Sequence, residues 1–197
     1  NTNPNEFKKF YELIPNDLMP YIWFFPLKAN SKRPDVKASD VLKNNLNYRL
    51  TEKDAYQRLR NGQNVGIYAI PDGLMFLDLD VSNGKVLASQ SILDALDTMK
   101  TLTIQTRNGG FQYYFLNSQK YQTQILKENN EIIGEFRNNW SYVVSVGSYV
   151  DQDKQSTLEG TGQYKILKSC PIVKFEGLTI CGKNNNPVSK EKVGQWL

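Results

Sequence analysis

Leu74-Met75-Phe76-Leu77-Asp78-Leu79-Asp80 is the stretch from which the chain is best read. An apolar run ends in two aspartates separated by one residue. Residues two apart on a strand share a face, so Asp78 and Asp80 project together while Leu77 and Leu79 turn into a core. Carboxylates held side by side repel each other, and they either share a proton or take up a divalent cation. Acids at a strand end also occur simply because they meet solvent, and this segment alone leaves both readings open.

Upstream of it, Val65 to Ile70 reads as a strand and Pro71-Asp72-Gly73 as a tight turn, which would make Leu74 to Val81 its hairpin partner. Thr51 to Arg60 reads as a helix, with Thr51 and Asp54 in a capping-box-like arrangement and Asn61-Gly62 as the stop. Asn5 to Leu13 reads as a short helix with Phe7, Phe10 and Tyr11 on one side, ended by Pro15 and Pro20. A strand-like run, Tyr21 to Phe25, and a polar loop, Lys28 to Asp40, follow it.

Downstream, Ser89 to Lys100 reads as a helix that buries Ile92, Leu93, Leu96 and Met99. Strands at Thr101–Thr106 and Phe111–Leu116 flank Asn108-Gly109-Gly110. Ile132 to Arg137 and Tyr142 to Val146 read as a hairpin around Asn138-Asn139, and Gln163 to Leu167 as a last short strand. Several hairpins with few helices predict an α+β fold on antiparallel or mixed sheets, not a doubly wound parallel sheet. Asn184-Asn185-Asn186-Pro187 resembles a linker. Residues 1–183 are therefore expected to form the main domain, and 184–197 a linker and the start of a following segment.

Composition narrows the chemistry. The 197 residues are 40% hydrophobic and 12% aromatic, enough for a core in one large domain. The net charge of +4, from 24 Lys/Arg against 20 Asp/Glu, permits a polyanionic partner without demanding one. The chain contains no histidine, which excludes Ser-His-Asp, Cys-His and His-assisted acid–base schemes. Two cysteines, Cys170 and Cys181, make neither a structural zinc site nor a disulfide framework, in keeping with a reducing, cytoplasmic setting. No apolar run is long enough to span a bilayer, so no membrane association is expected. The chain opens on Asn1, and both ends are read as cut points.

Two further segments carry candidate chemistry. In Ile132-Ile133-Gly134-Glu135-Phe136-Arg137 the apolar residues do not alternate cleanly, but Glu135 and Arg137 should share a face. They make either a surface ion pair, worth well under ~1 kcal/mol, or a third metal ligand beside a phosphate-binding arginine. In Thr106-Arg107-Asn108-Gly109-Gly110-Phe111-Gln112-Tyr113-Tyr114 the two glycines signal a hairpin, and such a turn can present backbone N–H groups to a phosphate. Gln112, Tyr114 and Leu116 share one strand face; Phe111, Tyr113 and Phe115 share the other. Taken alone, Gln112 reads as an exposed strand residue.

Taken in order, these segments resemble the prim-pol family of the archaeo-eukaryotic primase superfamily, the primase-polymerase domains of plasmid, viral and mobile-element replication proteins. Phe25-Pro26-Leu27-Lys28 with Lys32-Arg33-Pro34 is similar to the family's early loop. Asn64-Val65-Gly66-Ile67 and the strand ending Asp78-Leu79-Asp80 resemble its acid-x-acid motif. Asn108-Gly109-Gly110-Phe111-Gln112 is similar to its Ser-Gly-Gly-x-His motif. Glu135-Phe136-Arg137, then Tyr142-Val143-Val144 and Gly147-Ser148, resemble its acid-x-basic motif and the strand after it. The likeness spans roughly residues 20 to 170. The chain departs from the pattern in carrying Gln112 where the family has a phosphate-contacting histidine, Asn108 for the serine, and Glu135 for an aspartate. Glutamine can donate a hydrogen bond but cannot carry a positive charge.

The resemblance implies an RRM-like antiparallel-sheet catalytic half beside a smaller N-terminal α/β half. It implies DNA primase and polymerase activity by a two-metal mechanism, with Asp78, Asp80 and Glu135 holding two Mg²⁺ or Mn²⁺ ions. Arg107, Asn108, Gly109, Gly110, Gln112, Arg137 and Ser148 would line the nucleotide's triphosphate, and Lys32 and Arg33 would meet a nucleotide or template phosphate. Tyr113, Trp140 and Tyr142 are candidates for base stacking, though each also suits a core position. The implied partners are a single-stranded DNA template, a primer and dNTP or NTP, with a helicase domain on the same longer chain. The competing expectation, raised by Gln112, is a catalytically weakened module that binds single-stranded nucleic acid or a nucleotide. A metal-dependent nuclease on the same acids ranks last, for want of an obvious Lys or His partner.

Overall fold

The computed structural model describes residues 1–36, 48–153, 160–178, 180–181 and 187–188. Its elements run α1 (Pro4–Leu13), a 3₁₀ turn (Asn16–Tyr21), β1 (Phe24–Leu27), α2 (Glu52–Arg60), β2 (Asn64–Tyr68), β3 (Leu74–Leu79), β4 (Val81–Ser82) and β5 (Lys85–Val86). Then follow α3 (Gln90–Met99), β6 (Thr103–Gln105), β7 (Phe111–Leu116), β8 (Gln124–Glu128), β9 (Glu131–Arg137), β10 (Tyr142–Val144), β11 (Lys165–Lys168) and β12 (Val173–Lys174). A two-residue ladder joins β13 (Ile180–Cys181) to β14 (Pro187–Val188).

Each described α-helix begins on a side-chain cap. Asn3 accepts from the Glu6 N–H, Thr51 from Asp54 and Ser89 from Ile92. Such caps satisfy donors that a helix start leaves free.

Two principal sheets divide the strands. One is antiparallel in the order β1-β2-β10, and the larger runs β11-β6-β7-β3-β9-β8, with β12 added in parallel to the end of β7. Strand β3 lies near the middle of the larger sheet and belongs to two cores at once. Leu74 and Phe76 join Phe10, Leu59, Ile67 and Tyr114 in the core shared with α1, α2 and the smaller sheet. Met75, Leu77 and Leu79 join Ile92, Leu96, Tyr113 and Phe136 in the core beneath α3. Helices packed on mainly antiparallel sheets make this an α+β protein.

The ladders correct two expected hairpins. β2 and β3 do not pair, because β1 and β10 occupy both edges of β2 while β3 sits between β7 and β9. Likewise β9 and β10 lie in different sheets, joined by a turn in which Asn139 and Trp140 take positive φ. The run read as a strand from Tyr21 starts as one only at Phe24, because residues 16–21 coil into the 3₁₀ turn. Strand β8 was not foreseen. Residues 37–40 of the expected polar loop lie outside the described residues, as do 184–186 and 189–197.

Candidate active site

The alternation of β3 continues past Phe76, but the packing does not. On the face that carries Leu74 and Phe76, the next residue is Asp78. At this point the space between the two sheets opens into a cleft of about 570 Å³. Asp78 and Asp80 both line it, with Asp80 one residue beyond the end of β3.

The neighbouring strands supply the rest of the row. Asp78 stands opposite Gln112 on β7 and opposite Glu135 on β9. Arg137, two residues further along β9, lies beside Phe76 and reaches back over both acids. Its Nε donates to Asp78 Oδ2 at 2.8 Å, and its Nη2 meets Glu135 Oε2 at 2.9 Å. Burial works against the Arg137 charge, but Asp78 and Glu135 outweigh it and hold the guanidinium ionised. Partial burial and then the Asp78 charge push the Asp80 carboxyl above its usual range, opposed by Lys32 and Arg137.

The broken alternation of β9 has a local cause. Gly134 pairs with Leu126 and Ile132 with Lys127, so Ile133 is bulged out of the β8 ladder. The bulge lets Ile133 and Phe136 enter the same core while Glu135 stays in register with Asp78 and paired to Arg137, outside the lining of the cleft itself. Gly134 is required here, because a Cβ would collide with the Asp78 carbonyl oxygen.

Loops close the cleft on its other sides. Asn64 is fully buried; its Nδ2 donates to the Ser31 and Tyr149 carbonyls, and its Oδ1 accepts from the Tyr149 N–H. That anchors two loops at once, and the Tyr142 hydroxyl donates to the Lys32 carbonyl at 2.9 Å. Lys32 thereby lines the cleft. Partial burial and then the Arg107 charge depress its amine, while Asp78 pulls the other way. Arg107 and Asn108 line the cleft from the β6–β7 turn and are tied to Asp153, a residue that no motif marks.

The remaining predicted positions divide. Gln112 lines the cleft but is only 3% exposed, which corrects its reading as a surface residue. Gly109 holds the turn at φ +86° and donates its N–H to the Thr106 carbonyl, so that donor is already used within the turn. Gly110 is buried just before β7. Arg33 is exposed on the loop and lies outside the cleft lining. Ser148 is fully buried and bonds the backbone N–H and carbonyl of Val65, which fixes β2 and keeps its hydroxyl out of the cleft. Of the aromatics, Tyr142 lines the cleft, Tyr113 belongs to the core under α3, and Trp140 packs edge-on against Trp23.

The donor set has the chemistry of a hard-cation site. Asp78 Oδ1 is buried without a hydrogen-bond partner among the described residues, and so is Gln112 Oε1 across the ladder. Oxygen-only ligands suit Mg²⁺ or Mn²⁺. No three acidic or thiol side chains among the described residues are grouped as a ready-made metal cage. Arg137 engages two of the three acids, so a cation would compete with it for Asp78 and Glu135.

No helix of the described residues is long and apolar enough to cross a membrane. No curated protein matches the chain. The family of bifunctional DNA primase/polymerase N-terminal domains matches residues 21–174, a span that takes in β1 and every acid and base of the cleft. The chain belongs to the bifunctional DNA primase/polymerase, N-terminal, family.

Proposed function

We propose that this protein performs template-directed nucleotidyl transfer, as a DNA primase and DNA polymerase acting in the replication of a plasmid, virus or mobile element. The observation that carries the reading is the row Gln112–Asp78–Glu135 across three adjacent strands, of which Gln112 and Asp78, with Asp80 beyond, line a cleft that Lys32, Arg107 and Arg137 make basic. Acids and bases interleaved around one cleft suit a triphosphate and the cations that accompany it.

In this reading Asp78, Asp80 and Glu135 hold two divalent ions, Mg²⁺ or Mn²⁺, which supply acidification of the attacking hydroxyl and charge neutralisation at the triphosphate. Lys32 and Arg107 bind phosphate oxygens, the guanidinium through planar paired donors and the ammonium as a point charge. Arg137 offsets the mutual repulsion of Asp78 and Glu135 in the free protein, then turns donors to the substrate as the acids find other partners. Gln112 offers a neutral donor where the family has histidine. The primer 3′-oxygen forms a bond to the α-phosphorus and pyrophosphate departs. The larger sheet corresponds to an RRM-like catalytic half and the smaller sheet with α1 and α2 to the N-terminal half, within a domain of residues 1–183. The partners are a single-stranded template, a primer, dNTP or NTP, and a helicase on the same longer chain, in the cytoplasm.

A second reading, a binding module without catalysis, is favoured by one observation: Arg137 already satisfies two of the three acids. Primer extension on a single-stranded template with Mg²⁺ or Mn²⁺ separates the two. The enzyme reading expects synthesis that disappears in Asp78→Ala/Asp80→Ala. Absence of synthesis in the wild type and in Gln112→His, with single-strand binding retained, would leave the binding module.

A further inference from the structure

The cleft holds one acid that the nucleotidyl-transfer reading does not use. Asp153 lies in the segment after β10, and its side chain is 58% exposed. Its carboxylate meets Arg107 Nη2 at 3.1 Å and accepts from Asn108 Nδ2 at 2.9 Å. Its own N–H donates to Asn108 Oδ1 at 3.0 Å, and Arg107 Nη1 donates to the Asp151 carbonyl at 3.0 Å. Asp153 is thus an acid, held by backbone and side chain, on two of the polar side chains that the turn offers to the cleft.

The pairing has an electrostatic reason. Arg107 and Arg137 both lie close enough to Lys32 to help depress its amine, after burial. Arg137 is balanced by Asp78 and Glu135, and Arg107 by Asp153. Arg107 Nε is buried with no hydrogen-bond partner among the described residues, so the guanidinium retains donor capacity that Asp153 does not satisfy. A phosphate group carries more charge and more acceptor oxygens than a carboxylate.

We propose that Asp153 is a built-in counter-ion of the phosphate corner, displaced from Arg107 and Asn108 when a triphosphate enters. The inference rests on reading the cleft as a nucleotide site. It assigns Asp153 a function opposite to that of a positioning residue: it weakens substrate binding by competing for the same donors. Because Asp153 is largely exposed, the competition is modest, ~2- to 5-fold in affinity.

Calorimetric titration of dNTP and of inorganic tripolyphosphate into the wild type, Asp153→Ala, Asp153→Asn, Arg107→Ala and the Arg107→Ala/Asp153→Ala double variant tests it. Both Asp153 variants are expected to bind tighter by that factor, and the gain should vanish in the Arg107→Ala background, as for residues sharing one partner. Weaker or unchanged binding in Asp153→Ala would overturn the inference, the weaker result marking Asp153 as a support for Arg107. An equal gain without Arg107 would also overturn it, by reducing the effect to net charge. Those outcomes leave the nucleotide site standing, whereas no triphosphate binding by the wild type or any variant would remove both.

Discussion

Leu77 and Asp78 are consecutive residues of one strand, and their side chains live in different surroundings. Leu77 faces a core that is closed along its whole length, by α3 on one side and by Phe136 and Tyr113 across the ladders. Asp78 faces a layer that is apolar at Leu74 and Phe76 and then stops. The strand thus presents a stable face and a reactive face at a spacing of one residue. The core under α3 fixes the backbone that aims the acids, and the acids need no packing of their own.

That division predicts a crossed outcome. Asp78→Ala/Asp80→Ala should lower primer extension by roughly 10³-fold or more, about 4 kcal/mol of barrier, while the melting temperature holds or rises because two repelling charges are gone. Leu77→Ala should do the reverse, losing ~2–5 kcal/mol of stability in denaturant titration while the folded fraction keeps its rate. If the aspartate variant also unfolds, the two faces are not separable as argued.

Gly134→Ala sharpens the comparison, because it strikes the backbone that both faces share. Its Cβ would collide with the Asp78 carbonyl, so β9 must shift, at ~1–3 kcal/mol or more by denaturant unfolding. Activity should fall with stability in this variant alone, since Glu135 and Arg137 move with the strand.

Smaller effects come from the bridging groups. Arg137→Lys keeps the charge but cannot reproduce donation to Asp78 and Glu135 together, and nucleotide affinity should drop ~10-fold in equilibrium binding. Gln112→Leu should change stability by less than ~1 kcal/mol, because the amide oxygen it removes is buried without a partner. Its nucleotide affinity should nevertheless weaken, through loss of the amide donor.

Much of this arrangement was legible in the sequence, for local reasons. The period of two in residues 74–80 gave the facing of Asp78, and the same rule divided Gln112 and Tyr114 from Tyr113 and Phe115. The cap at Thr51 follows from Thr51 and Asp54 standing three positions apart. Strand partnership was not legible, because a ladder is a non-local choice. Nothing local forbids β2 from pairing with β3; β1 and β10, far away in sequence, take its edges instead. The bulge at Ile133 disguised the facing of Glu135 for the same reason, since it exists only against β8. Asp153 escaped notice because its partners are 45 and 46 residues away and its neighbours carry no pattern. Ser148 shows the opposite error: a motif position whose hydroxyl serves the backbone of β2.

The central claim is that the Asp78 face is a divalent-cation site as well as an acidic strand end. Electron paramagnetic resonance of Mn²⁺, titrated into the wild type and into Asp78→Ala/Asp80→Ala in the absence of nucleotide, tests it most directly. Bound Mn²⁺ in the wild type that is lost in the variant is the predicted result. Equal Mn²⁺ binding in both proteins, or none in either, would contradict the account and leave Arg137 as the partner those acids were placed to meet.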